Sequence, residues 1–302
     1  MSRIPKFFIA GAQKSGTTTL HNILVQHENI YLPKTKETKF FVDPEVNKLG
    51  LKKYKEFFKQ KKSFQISGEV DPDCFYFNYA AEEMFKILGA DLKVFLILRN
   101  PAERAISHYL MSLRRGIEEL SFEDAIAYED KRIKNSYYND LHYSYINRGN
   151  YFTQVKRFYD VFGKDNVTVF IYEEDFLENR QELVNTICSK LGLDTMLVDV
   201  TIASNVARTS RYPFITKILN SPNSRIRKLG KKIIPSLRFR ILLREYLDTI
   251  NSRKLNKIDE SSNVDFDSEY IFRTYYDQEI DLLENLIDRK LDCWKSTRNQ
   301  HV

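Results

Sequence analysis

The sequence predicts a three-layer α/β fold: a mainly parallel central sheet with helices on both faces. Three observations carry that expectation. Short strand-like runs recur at 7–12, 64–69, 93–98 and 167–172, each ending at a turn or a polar residue. Helical apolar stripes follow the first and third runs, giving a strand–loop–helix rhythm. Both of those junctions carry chemistry suited to an anion.

The first junction is Phe7-Phe8-Ile9-Ala10-Gly11-Ala12-Gln13-Lys14-Ser15-Gly16-Thr17-Thr18-Thr19-Leu20. Its apolar run suits a central buried strand, and Leu20, Ile23, Leu24 and His27 repeat at helical spacing. Gly11 and Gly16 allow close backbone approach, so the loop and helix start present N–H groups to an anion. The arrangement is of the P-loop type. The spacing of the two glycines matches G-x-x-x-x-G-K-[ST], but Thr17 stands where that motif has lysine, and Lys14 lies earlier in the loop. A standard nucleoside triphosphatase is therefore a poor fit.

The third run, Lys93 to Leu98, ends in Arg99-Asn100-Pro101. Asn100 suits a helix cap and Pro101 the first helical position. A triphosphatase places an acidic group at such a strand end to hold Mg²⁺. Here a guanidinium stands instead, suited to bidentate phosphate binding. Ser107 follows the cap by about 10 Å of helix, at about 1.5 Å per residue, so Arg99 and Ser107 are candidates for holding one phosphate.

Together these segments resemble the sulfotransferases that use 3′-phosphoadenosine-5′-phosphosulfate (PAPS), on Gln13-Lys14-Ser15-Gly16-Thr17-Thr18-Thr19 and Arg99-Asn100-Pro101-Ala102-Glu103-Arg104-Ala105-Ile106-Ser107-His108-Tyr109. The second motif looks more like the heparan-sulfate and related bacterial branch than the branch acting on phenols and steroids. Gly149-Asn150-Tyr151-Phe152, the strand 167–172 followed by Glu174-Asp175-Phe176, Leu191-Gly192-Leu193 and Asp288 to Trp294 continue the likeness. The resemblance implies sulfonate transfer from PAPS to a hydroxyl or amine, with a saccharide as the expected acceptor and a small-molecule or lipid alcohol as the alternative. It implies that Lys14 stabilises developing charge, and that Lys14, Ser15, Gly16, Thr17, Thr18 and Thr19 hold the 5′-phosphosulfate. Arg99 and Ser107 then hold the 3′-phosphate. Arg208 and Arg211, in a late basic loop, are further candidates, and no metal is required.

Transfer to a hydroxyl needs a proton acceptor. None of the five histidines lies between residues 28 and 107, where the phenol-type branch carries its base. Lys36-Glu37-Thr38-Lys39-Phe40-Phe41 matches a K-E-x-x-F-F pattern of the heparan-sulfate branch, which makes Glu37 the expected base. That branch often has histidine where Lys39 stands. Glu69, at the close of the second run, is the rival base; Glu69, Asp71 and Lys39 are read as acceptor-binding or structural residues. Lys36, Lys39, Arg114, Arg115 and Arg148 are candidate cations for an acidic acceptor.

The chain of 302 residues shows no Gly/Pro/Ser-rich linker, so one domain is expected over 1–302, with a basic helical insertion at about 214–260. Residues 223–257 hold eleven Lys/Arg and two acids, a balance of +9 within a total of +6. An anionic glycan, an anionic membrane surface, or a solvated helical face with an apolar core side would each account for it. Nucleic acid is not expected, since no recognised binding motif accompanies the charge. The first strand begins near residue 7 and no run approaches about 20 apolar residues, so a cytoplasmic location is expected. Three cysteines suggest reduced thiols. Two rivals make opposite demands: a P-loop phosphotransferase requires MgATP, and a non-catalytic polyanion-binding protein requires no PAPS.

Overall fold

The computed structural model describes residues 4–195, 197, 199, 208–210, 252–254 and 266–295, the strands at 208–210 and 252–254 as backbone only. The basic segment at 223–257 and the insertion at about 214–260 lie outside the described residues, apart from those backbone positions.

Five strands, β1 (Phe7–Gly11), β2 (Ile30–Tyr31), β3 (Ile66–Val70), β4 (Lys93–Leu98) and β5 (Val167–Ile171), form a sheet of order β2-β3-β1-β4-β5. Every pairing in it is parallel. All four predicted strands are present. The second is shifted to 66–70, because Ile66 pairs with Ile30 while Phe64 stays exposed. β2 was not anticipated: two residues are too few to leave a pattern in sequence.

The longer helices are α1 (Thr17–Leu24), α2 (Ala80–Leu88), α3 (Pro101–Arg114), α4 (Tyr151–Phe162), α5 (Arg180–Lys190), α6 (Ser268–Tyr275) and α7 (Asp277–Ile287). Alternate residues of the strands face opposite ways. Phe7, Ile9, Phe95, Ile97 and Phe170 pack with Leu20, Ile23 and Leu24 of α1 and Val184 and Ile187 of α5. On the other face Phe8 packs edge-on against Phe41. His27 lies beyond the end of α1 yet is buried, its ring bonded to the Asp194 carbonyl at 3.2 Å.

The chain divides into two compact units, one of residues 1–104, 147–205 and 268–302, the other of residues 105–146 and 206–267. The first contains the sheet. In the second, buried Glu118 accepts two hydrogen bonds from Arg132, at 2.8 and 3.1 Å, and one from the Tyr145 hydroxyl at 2.8 Å. Tyr109, Phe122 and Phe266 form its aromatic cluster. Among the described residues no helix is long and apolar enough to cross a membrane.

Candidate active site

Three neighbouring parallel strands, β3, β1 and β4, end at the same edge of the sheet, and the residues after them share that edge. The Ala12 N–H still bonds to the Ile97 carbonyl at 2.7 Å, and the Asp71 N–H to the Ile9 carbonyl at 3.1 Å. The loop after β1 is thereby fixed between the turn carrying Arg99 and the turn carrying Asp71.

The β1–α1 loop is wound tightly. Lys14 has φ +74° and Gly16 φ +81°. A Cβ on Gly16 would stand 2.7 Å from the Phe176 ring, so glycine is required there for both dihedral and space. Gly16 precedes the first residue of α1 and no side chain caps that helix start. The Ser15 hydroxyl is buried without a hydrogen-bond partner among the described residues. Thr17 and Thr19 are buried, and Thr18 is exposed. A helix start without a side-chain cap and a buried hydroxyl without a partner, both among the described residues, suit an anion cradle.

Arg99 borders this cradle. Its guanidinium donates to the Lys14 carbonyl at 3.5 Å, pairs with Glu103 at 3.2 Å and lies over the Tyr172 ring at 5.3 Å. Its own carbonyl accepts from the Tyr151 hydroxyl at 3.0 Å. Asn100 caps α3 as expected, its Oδ1 accepting from Ala102 N at 3.0 Å and Glu103 N at 3.3 Å. Glu173 braces the turn from behind, accepting from Asn100 N at 3.0 Å and from Trp294 Nε1 at 2.7 Å. Ser107 is half-buried on α3, within the second unit. Arg208 lies in the short strand β6 (Arg208–Ser210) with its side chain undescribed, and Arg211 falls outside the described residues.

The segment 36–41 passes over the end of β3. Glu37 and Lys39 both have positive φ, +62° and +61°. Such conformations cost about 1–3 kcal/mol each and persist only where the surroundings impose them. The surroundings here are donors and acceptors from β3. Glu37 N–H bonds to the Val70 carbonyl at 3.1 Å, Thr38 donates to Glu69 from both its N–H and its hydroxyl, and Lys39 N–H bonds to Asp71 at 3.1 Å. Tyr54 donates to the other oxygen of Glu69.

Glu69 is therefore buried and engaged on both oxygens. Burial pushes its carboxyl up to about 7, against the pull of the Thr38 and Tyr54 hydrogen bonds. Asp71, equally buried, is pushed up to about 6 by burial and by the neighbouring Asp73 and Glu37 charges, with Lys39 opposing. For Glu37 burial also acts upward, but Lys39 and Lys36 outweigh it and hold the carboxyl well below the usual glutamate range. Its side chain keeps 32% of its surface exposed, against 1% for Asp71, with one carboxylate oxygen bonded by Lys36 and the other by Lys39 at 3.0 Å.

Sequence reading missed how closely these charges interlock. The Lys39 ammonium donates to Glu37 at 3.0 Å, to Asp71 at 2.9 Å and to Asp73. Arg148, a candidate acceptor cation by sequence, is buried and bonds Asp73 at 2.6 Å, with its guanidinium over the Tyr76 ring at 4.5 Å. Gln13 of the β1–α1 loop also reaches Asp73, at 3.4 Å. Glu69, Asp71 and Asp73 alternate in sequence, which hints at a shared face; their partners at 38, 39, 54 and 148 leave no such mark.

A family model described as a sulfotransferase domain matches residues 4–214. The chain belongs to that family. A solved sulfotransferase from Alicyclobacillus acidocaldarius superposes with a TM-score of 0.65 at 26% identity, covering 97% of this chain and 99% of that one. Curated relatives match over shorter stretches. The membrane-associated sulfotransferase kil1 of Dictyostelium discoideum is 34% identical over 116 residues, 37% of this chain and 24% of its own length. The human bifunctional heparan sulfate N-deacetylase/N-sulfotransferase 2 is 34% identical over 116 residues, 35% of this chain and 13% of its own length. The mouse heparan sulfate glucosamine 3-O-sulfotransferase 5 is 29% identical over 113 residues, 37% of this chain and 32% of its own length. The match thus spans a third or less of each of these three relatives. In this sulfotransferase-family chain, the matched region 4–214 contains the β1–α1 loop, Glu37, the end of β3 and Arg99.

Proposed function

We propose that the protein transfers a sulfonate group from PAPS to a hydroxyl or amine, with a saccharide as the acceptor class. One observation carries the reading: the Lys14 loop and Arg99 meet at the ends of adjacent strands, Arg99 reaching the Lys14 carbonyl. The residues present fit the donor. The uncapped start of α1 and the unpartnered Ser15 hydroxyl suit a 5′-phosphosulfate, and a guanidinium held over Tyr172 suits a second phosphate. Bound there, PAPS supplies the sulfonate and a phosphate leaving group.

In this scheme Lys14 places positive charge where negative charge grows in the transition state. Gly16, Thr17, Thr18 and Thr19 hold the 5′ end, and Arg99 holds the 3′-phosphate. Glu37, whose side chain is partly exposed, accepts the acceptor's proton on its carboxylate. A weakly basic carboxylate suffices, because the attacked oxygen becomes strongly acidic as its bond to sulfur forms. Glu69 holds the strained segment 37–39 rather than acting as base, consistent with its burial behind Thr38 and Tyr54. No step uses a metal ion.

The heparan sulfate enzymes among the relatives support a saccharide acceptor, as does the basic stretch 223–257. The test is sulfonate transfer from radiolabelled PAPS to a panel of N-desulfated heparin, neutral oligosaccharides and simple alcohols. The expected result is a labelled saccharide from wild type and a loss of about 10²–10⁴ in rate for Glu37→Gln. A labelled simple alcohol with no labelled saccharide would overturn the acceptor assignment, and full activity in Glu37→Gln would overturn the base.

A further inference from the structure

Lys39 is the charge that this arrangement uses in an unexpected way. Among the described residues, Glu37, Asp71 and Asp73 bring carboxylate oxygens within 4.8 Å of one another. Three anions that close repel strongly unless a cation sits among them. The chain supplies that cation itself, since the Lys39 ammonium donates to all three. All three donor positions of an ammonium are then used, and Lys39 has none left for an acceptor.

We propose that Lys39 is a positioning residue for the transfer reaction, a fixed internal cation that ties the Glu37 carboxylate to the buried acids at the end of β3. The inference rests on the reading of Glu37 as the proton acceptor. The geometry makes the tie rigid. Lys39 is anchored at both ends, by its N–H to Asp71 Oδ2 and by its ammonium to Asp71 Oδ1, and Asp73 is held in turn by Arg148 and Gln13. The positive φ at 37 and 39 turns both side chains back toward this cluster, which is why the strain at those residues is tolerated.

The charge balance explains the chemistry. Facing Glu37 are Lys36 and Lys39 from its own segment, Asp71 and Asp73 from the end of β3, and His21 from α1, with Arg148 behind Asp73. Remove the Lys39 charge, and Glu37 keeps two anionic neighbours with Lys36 as its remaining direct cation. The carboxyl then keeps its proton to higher pH, so less of it is the free carboxylate in the acid range, and at every pH it has lost the tie that holds it in place. In the reaction, the acceptor oxygen forms its bond to sulfur while the bridging oxygen–sulfur bond of the donor breaks. That electron pair leaves with the phosphate, and the acceptor proton passes to Glu37. Lys39 keeps its own proton throughout and, once Glu37 is neutral, stays bound to Asp71 and Asp73.

The test uses the full chain as wild type, Lys39→Met, Lys39→Arg and Glu37→Gln. Carbon-detected NMR follows the Glu37 carboxyl against pH, assigned by its loss in Glu37→Gln. Alongside it are the pH profile of transfer to N-desulfated heparin and the affinity for adenosine 3′,5′-bisphosphate. In wild type Glu37 should titrate well below the ordinary 4.5, and in Lys39→Met at or above it. The acid limb of the rate profile should move up with it, and kcat should fall about a hundredfold with bisphosphate affinity unchanged. Lys39→Arg should restore the low titration and part of the rate. A Lys39→Met protein with wild-type Glu37 titration and rate profile would overturn the proposal. Should that variant not fold, the wild type still decides. Its Lys39 ammonium, assigned by its loss in Lys39→Arg, should give a signal protected from hydrogen exchange, and rapid exchange would overturn the cage. Wild type that binds no bisphosphate and transfers nothing would overturn the function instead, leaving the titration to judge the cage separately.

Discussion

At the end of β1 the Ser15 hydroxyl and Gln13 Oε1 are buried without a partner among the described residues, whereas at the end of β3, one strand away, Glu69, Asp71 and Asp73 all have donors. Among the described residues no side chain caps the start of α1, and the buried Ser15 hydroxyl has no partner. Beside them Glu69 is held by Thr38 and Tyr54, Asp71 by Lys39, and Asp73 by Lys39 and Arg148. The first region is unfinished in the way an anion site is unfinished. The second is a closed circuit in which Glu37 alone of the four acids keeps a partly exposed side chain. In the proposed scheme donor binding and proton transfer fall to these two regions of opposite character, joined by the Gln13–Asp73 contact.

The contrast can be broken at its closed end first. Asp73→Ala strands a buried Arg148 and removes one anion from Lys39. Loss of one partner of a buried pair costs about 3–5 kcal/mol, so chemical denaturation should show a shift of that size, and a shift under about 1 kcal/mol would mean the pair is solvated. At the open end, Lys14→Ala removes the cation of the β1–α1 loop. Its kcat should fall about 10²–10³-fold, the range for removing one charge-stabilising donor, as read by PAPS turnover. An unchanged kcat in Lys14→Ala would contradict its proposed role in charge stabilisation.

A smaller effect distinguishes the two regions by pH. Glu69 is raised from 4.5 to about 7 in the folded protein. Between those values the folded state binds more protons than the unfolded one, so the Glu69 contribution to stability falls as pH rises through that window. Asp71, raised from 3.8 to about 6, acts in the same direction. His21, lowered from 6.5 chiefly by burial, acts in the opposite one. The difference between wild type and Glu69→Gln isolates Glu69. Unfolding free energy measured at several pH values should decline more steeply for wild type than for the variant from about pH 5 to 7, and parallel curves would contradict the assignment.

Much of the open end was legible in sequence, because a strand, a glycine loop and a helix stripe are local and contiguous. Asn100 and Pro101 likewise announced the start of α3, and Asn100 does cap it. The closed end was legible only in part. Glu37, Lys39, Glu69 and Asp71 stood out as residue types, but their roles depend on partners distant in the chain: Thr38 meets Glu69 across 31 positions and Arg148 meets Asp73 across 75. Arg148 therefore read as a candidate cation for an acidic acceptor, whereas it is buried and bonded to Asp73. The brace from Glu173 to Asn100 and Trp294 was equally silent, because it joins three segments that no local pattern relates.

The central claim is that the loop after β1 and Arg99 form a site for a nucleotide bearing a 3′-phosphate. It is tested most directly by titration calorimetry of adenosine 3′,5′-bisphosphate, beside ATP with Mg²⁺, on wild type and Arg99→Ala. The expected result is bisphosphate binding by wild type, with ATP far weaker. Arg99→Ala should lose about 1.5–3 kcal/mol, the worth of a hydrogen bond to a charged group, which is roughly ten- to a hundredfold in Kd. Equal or tighter binding of MgATP, or bisphosphate binding indifferent to Arg99, would contradict the sulfotransfer reading and favour a phosphotransferase.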